Sequence, residues 1–196
     1  RNKLSNLSFL LGEQFVNLVE LDVSFNQIET LENSNFKSLV NLSSLNVGNN
    51  PIITIEGNFF NQLFISNLNL SNITTCTNIS LLDLKILDLA YNQNITFNIE
   101  SNSSLEELIL RNTNLNFSLI VFSNLPNLKI LDLSENFDNG VFELYGLILV
   151  EFLNLSQMKI KSLQRFKFNQ FRNLKRLNLN NNHISSIQKN DFSNKN

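Results

Sequence analysis

The chain has 196 residues, and its 42% hydrophobic content is enough for a buried core. A formal net charge of -2 excludes a global electrostatic pull toward nucleic acid or anionic membrane, and no apolar run approaches the roughly 20 residues that a membrane-crossing helix needs. Cys76 is the only cysteine, so an internal disulfide is excluded, and His183 is the only histidine.

One pattern then recurs along the chain: Leu-x-x-Leu-x-Leu-x-x-Asn-x-Ile. It is read first at Leu18, Leu21, Val23, Asn26 and Ile28, and again at Leu42, Leu45, Val47, Asn50 and Ile52. A weaker copy follows at Ile65, Leu68 and Leu70. Next come Leu84, Leu87, Leu89 and Asn92, then a weaker copy at Leu105, Leu108 and Leu110. Leu128, Leu131, Leu133 and Asn136 restore the full form, Val150, Leu153 and Leu155 weaken it, and Leu174, Leu177, Leu179, Asn182 and Ile184 close the series. Successive copies start 19 to 24 residues apart. A period of that size predicts a solenoid in which no unit buries its apolar face alone.

In each copy the alternation Leu-x-Leu gives a strand with one buried and one wet face. Stacked strands form a parallel sheet over a continuous core. The Asn after each strand must turn the chain, and its amide can satisfy loop backbone groups that are otherwise buried unpaired. That ladder reads Asn26, Asn50, Asn92, Asn136 and Asn182, with Thr113 as a short polar substitute. Ile73 and Met158 interrupt it, which predicts irregular turns at those two places.

A second pattern follows each turn. Ile28, Leu31, Phe36 and Leu39 show it, as do Ile52, Ile55, Phe60 and Leu63, and then Ile184, Ile187 and Phe192; Phe122 and Phe168 hold the matching place elsewhere. These phenylalanines are expected to fill a spine on the side opposite the sheet. With both patterns in place, the chain resembles the leucine-rich repeat superfamily over nearly its whole length. The Phe position resembles the typical animal extracellular subclass, that of Toll-like receptors and insect immune proteins. The resemblance implies an α/β repeat solenoid of about eight repeats, curved, with a parallel concave sheet and a convex side of loops and 3-10 turns. Residues 1–196 are read as one such domain within a longer protein.

Chemistry finds little footing. His183 sits in a turn, Cys76 has no neighbouring histidine, and neither metal-ligand spacing nor a phosphate loop is present. No catalytic residue, metal or cofactor is expected, and the chain is read as a non-enzyme. Recognition is the better reading. The three outward columns of the sheet are mostly small and polar, but the fourth to seventh copies place Ile86, Ile109, Ile130 and Phe152 there, among Asp88, Glu107, Arg111 and Asp132. Clustered apolar side chains ringed by charge mark an interface. A protein or glycan ligand on this concave patch is expected, in a receptor, adhesion or innate-immune protein at the cell surface or outside the cell. The alternatives are an intracellular, cytoplasmic repeat scaffold, and a structural extracellular protein packing end to end. Nucleic acid is not expected as a partner, membrane contact is expected only through a segment outside this chain, and homo- or hetero-oligomerisation stays open.

Two further features bear on partners. Residues 1–150 carry 15 acidic and 6 basic side chains, whereas residues 151–196 carry 2 and 9. Lys159, Lys161, Arg165, Lys167, Arg172, Lys175 and Arg176 crowd that end, as a docking surface for an acidic ligand or, on the preferred reading, as a solvated face. Asn-x-Ser/Thr sequons occur at Asn6, Asn41, Asn69, Asn72, Asn78, Asn94, Asn102, Asn116 and Asn154. Asn69 and Asn154 fall on the sheet, so Asn6, Asn41, Asn72, Asn78, Asn94, Asn102 and Asn116 are the expected glycosylation sites.

Overall fold

The structure, a computed structural model, describes residues 2–56, 63–74, 76–79, 84–93, 95–97, 103–113, 122–137 and 144–192, with backbone alone for 76–79 and 95–97. Each sequence copy supplies one strand of an eight-stranded parallel sheet, ordered as in the chain. The strands are β1 (Glu20–Asp22), β2 (Ser44–Asn46), β3 (Asn67–Asn69), β4 (Ile86–Asp88), β5 (Glu107–Ile109), β6 (Ile130–Asp132), β7 (Phe152–Asn154) and β8 (Arg176–Asn178). Register matches the copies residue for residue, with Leu21, Leu45, Leu68, Leu87, Leu108, Leu131, Leu153 and Leu177 paired in turn. These leucines point inward and are buried, except Leu177 on the last strand, which is half-buried.

The opposite side is built from short pieces, as the convex side of a leucine-rich repeat is. Among the described residues it holds the single helical turn Asn33–Phe36 and 3-10 turns such as Phe122–Asn124 and Phe168–Gln170. Phe36, Phe122 and Phe168 are buried at the expected spine position. Phe168 also stacks on Phe192 of the next repeat, ring centroids 5.2 Å apart, though Phe192 and Ile187 remain largely exposed. Phe60 lies outside the described residues.

The turns after the strands are uniform, which corrects the expectation for Ile73 and Met158. In every copy the residue before the ladder position is left-handed: Phe25, Asn49, Asn72, Tyr91, Asn112, Glu135, Gln157 and Asn181, with φ between 49° and 62°. The inter-strand ladder also runs unbroken into these residues. Asn72 N–H donates to Ala90 C=O at 2.8 Å and Gln157 N–H to Asn180 C=O at 2.9 Å, as Asn49 does to Ser71.

The reason is that each ladder asparagine serves two repeats. The Asn92 amide donates to the carbonyl of its own strand end, Leu89, and to Leu70 of the repeat before, at 2.9 and 2.8 Å. Its Oδ1 accepts the Ile73 N–H at 2.8 Å. Asn182 does the same for Leu179, Leu155 and the N–H groups of Met158 and Ile160, and Asn136 for Leu133, Leu110 and Thr113. An apolar residue is therefore tolerated wherever the next repeat supplies an asparagine.

A second asparagine ladder lies at the entry to the strands. Asn41, Asn127 and Asn173 each donate to a carbonyl of the preceding repeat, Val16, Ser103 and Ile148, at 2.8, 3.2 and 2.9 Å.

The shared ladder makes an unequal prediction. Asn92→Ala strands the Ile73 N–H and the Leu70 carbonyl as well as its own turn, and is expected to cost about 3 kcal/mol. Asn26→Ala is expected to cost about 1 kcal/mol, because Asn50 also donates to Val23 C=O. Chemical denaturation of the two variants checks the order; equal losses would contradict the sharing.

Candidate functional site

The outward positions of the sheet are set by strand alternation, and the structure divides them into columns with different work. The middle column is Asp22, Asn46, Asn69, Asp88, Ile109, Asp132, Asn154 and Asn178. In all of these but Ile109 the side-chain Oδ1 accepts the backbone N–H two residues on, at 2.8 to 3.2 Å. This is an Asx turn closing the strand. Asp88 and Asp132 are thus strand caps as well as surface groups, and Asn154 donates at 3.0 Å to the second oxygen of Asp132. Sequence reasoning missed the capping, although the column of Asp and Asn followed two residues later by Ser, Gly, Ala or Asn carried the signal.

Ile86, Ile109, Ile130 and Phe152 do come to one face. Ile130 and Phe152 are direct partners on β6 and β7, and Ile86 and Ile130 flank Glu107. All four are half-buried. Phe152 does not stand free in solvent as expected, because the Arg176 guanidinium lies over its ring, 4.7 Å from the centroid. Truncating it therefore also removes packing.

Arg111 does not face Glu107. It bonds Glu135 of the next repeat, which holds its pKa above the ordinary arginine value, and it lies 5.4 Å from the Tyr91 ring centroid in the repeat before. The acids are less well met. Burial raises the Asp88 carboxyl above its usual range, with the Asp132 charge adding to it, and burial and the Asp88 charge raise Glu107.

Elsewhere charge is matched between neighbours. The residues immediately before β4 to β8 read Lys85, Glu106, Lys129, Glu151 and Lys175. Lys129 pairs with Glu106 and holds it below the usual carboxylate range, and Lys175 pairs with Glu151 at 2.8 Å. The basic end follows a related rule. Lys159 lies over Phe137 and Lys167 over Tyr145, whose hydroxyl it also bonds, as Arg176 lies over Phe152. Four cations of the crowded C-terminal set are thus engaged by groups of the preceding repeat, which favours the solvated-face reading over an acidic docking surface.

Several sequons have a structural origin. Asn69 and Asn154 are strand caps, and the Ser156 hydroxyl donates to Asn154 at 2.8 Å. Asn41 belongs to the second ladder, its amide held by Val16 C=O. Asn6 and Asn72 are exposed, and the Asn72 amide meets the side-chain oxygen of the half-buried Asn49 at 3.0 Å. The side chain of Asn78, and the whole of Asn94, Asn102 and Asn116, lie outside the described residues. Among the described residues no His, Cys, Asp and Glu group is arranged to hold a metal, and no helix is long and apolar enough to cross a membrane.

Comparison with known proteins agrees with this geometry. Family profiles described as "Leucine Rich repeats (2 copies)" and "Leucine Rich Repeat" match residues 16–60 and 173–195. No curated protein matches the chain. The leucine-rich repeat domain of APL1B superposes with a TM-score of 0.62 at 22% identity, over 85% of this chain and 48% of that one. TLR13, solved in complex with ssRNA13, gives 0.54 at 24% identity, over 91% and 23%. Human 5T4, also named Wnt-activated inhibitory factor 1 or trophoblast glycoprotein, gives 0.51 at 22% identity, over 84% and 60%. The chain spans less than two thirds of each of these structures.

Asp88 yields a stability prediction with a definite sign. A carboxyl whose folded pKa is raised costs stability once it ionises, and the cost vanishes as pH falls below the unfolded value. Asp88→Asn keeps the cap, as Asn46 and Asn69 do in the same column. The variant is expected to melt higher than the natural protein at neutral pH and at the same temperature at acid pH, below the carboxylate range. Thermal melts at the two pH values check this; a variant less stable at neutral pH would contradict it.

Proposed function

We propose that this member of the leucine-rich repeat superfamily is a recognition module of an extracellular or cell-surface protein, and that it binds a protein ligand on the concave face across β4 to β7. The fold is that of non-catalytic protein-interaction modules. The placement of the ligand rests on one observation: on a face otherwise polar, Ile86, Ile109, Ile130 and Phe152 sit on four adjacent strands. Such side chains are the usual anchors of an interface. The patch is aliphatic, and its one ring is already covered by Arg176, which favours a protein over a glycan. Acidic side chains on the face disfavour nucleic acid, although the TLR13 neighbour was solved with RNA.

The extracellular reading is supported by exposed sequons at Asn6 and Asn72 and by the similarity in fold to 5T4, a trophoblast glycoprotein. It fits a receptor, adhesion or immune protein.

Two measurements test these readings. Glycopeptide mapping of the protein from its native source is expected to find glycans at Asn6 and Asn72 and none at Asn69 or Asn154; no glycan anywhere would point to the intracellular scaffold. Against a partner recovered by cross-linking, Ile130→Ala with Phe152→Ala is expected to cost about 2 kcal/mol or more in binding, with Lys161→Ala near neutral. Sensitivity at Lys161 and Arg172 with none at Phe152 would move the site to the basic end.

A further inference from the structure

Register creates on this face a pattern that no single repeat contains. The outward pairs of β4, β5 and β6 are Ile86 and Asp88, Glu107 and Ile109, Ile130 and Asp132. Pairing puts Glu107 between Ile86 and Ile130, and Ile109 between Asp88 and Asp132. Acid and isoleucine therefore alternate both along each strand and across the three strands. All six side chains are half-buried.

Asp88 repels both Glu107 and Asp132; of the three, Asp132 feels the charge of Arg111, which is itself bonded to Glu135. Asp88 is raised by burial and by Asp132, and Glu107 by burial and by Asp88. The basic side chains around them are engaged elsewhere: Arg111 by Glu135, Lys129 by Glu106, Arg176 on the Phe152 ring. Like charges held together in partly desolvated places cost free energy that an arriving cation removes. The aliphatic surface beside each carboxylate suits the methylene stem of a lysine or arginine.

Resting on the reading that the concave face is the binding face, we infer that its partner is a protein presenting an extended basic segment. Its lysine or arginine stems lie on Ile86, Ile109 and Ile130, and their charges meet Asp88, Glu107 and Asp132. Asp88 and Asp132 are two strand spacings apart, about 10 Å. An extended chain crossing the strands covers that distance in about three residues, so two cations three positions apart reach Asp88 and Asp132 and share Glu107 on the strand between them.

The probe is a synthetic peptide with lysine at every third position among valines and serines, compared with versions carrying glutamate or norleucine instead. Binding is read by fluorescence anisotropy at physiological salt. The lysine peptide is expected to bind the natural protein at least about tenfold more tightly than the other two. The variant Asp88→Asn, Glu107→Gln, Asp132→Asn keeps the strand caps and is expected to lose about tenfold or more. The variant Glu13→Gln, Glu29→Gln, Glu32→Gln removes the same charge from exposed positions off the sheet face and is expected to keep affinity. Binding is also expected to weaken, as pH falls, above the range where ordinary carboxylates titrate.

An equal loss in both charge variants would overturn the inference as non-specific attraction. If norleucine binds as well as lysine, and Ile130→Ala with Phe152→Ala abolishes it while the neutralised face does not, the face stands and the basic partner falls. If no peptide responds to either set of sheet variants, the basic-partner inference is overturned, while the binding-face reading is decided by the native partner and its response to Ile130→Ala with Phe152→Ala.

Discussion

A buried asparagine that satisfies two turns at once holds this solenoid together. A strand that ends in a tight left-handed turn leaves backbone N–H and C=O groups pointing into the stack, where water does not reach. Asn50, Asn92, Asn136 and Asn182 each close their own turn and the turn before it. The hydrogen bonds that make one repeat are in this way lent by the next. Ile73, Thr113 and Met158 never stand side by side, and each is followed by an asparagine. An asparagine at every second repeat is sufficient, and two consecutive gaps would leave a turn unserved. Neighbour coupling of this kind is the physical basis of cooperativity in a quasi-one-dimensional fold.

The same borrowing governs the surface. Cations of one repeat rest on aromatic rings of the previous one, at Arg111 and Tyr91, Lys159 and Phe137, Lys167 and Tyr145, Arg176 and Phe152. The alternation of Lys and Glu just before β4 to β8 neutralises itself across the strands. The concentration of positive charge at the C-terminal end thus has an internal use. Against this matched background the acids of β4, β5 and β6 stand out, because their neighbours across the sheet are isoleucines and asparagines rather than cations.

The Asx caps show why composition misleads at such a face. Asp88 and Asp132 look like ligand contacts, and Asn69 and Asn154 look like glycan acceptors, yet all four close strands. Capping needs a short side chain bearing an oxygen. Asp and Asn meet that need equally, so a sequon on the sheet is a by-product of strand closure. Ile109 is the one position of the column released from it, and it lies at the centre of the candidate patch.

The sequence by itself determined the repeat, the eight strands, their inward leucines, the spine positions of Phe36, Phe122 and Phe168, and which side chains point outward. Each follows from a period within one repeat, local alternation and spacing, which a linear text carries. It also placed Ile86, Ile109, Ile130 and Phe152 on one face, since their column positions follow from the same period. Only the tertiary structure decided what crosses between repeats: that Asn92 repairs the turn at Ile73, that Arg111 turns to Glu135, that Arg176 covers Phe152, and that acid and isoleucine alternate over three strands. Those contacts join residues some twenty positions apart in sequence, and lateral register converts separate columns into a surface.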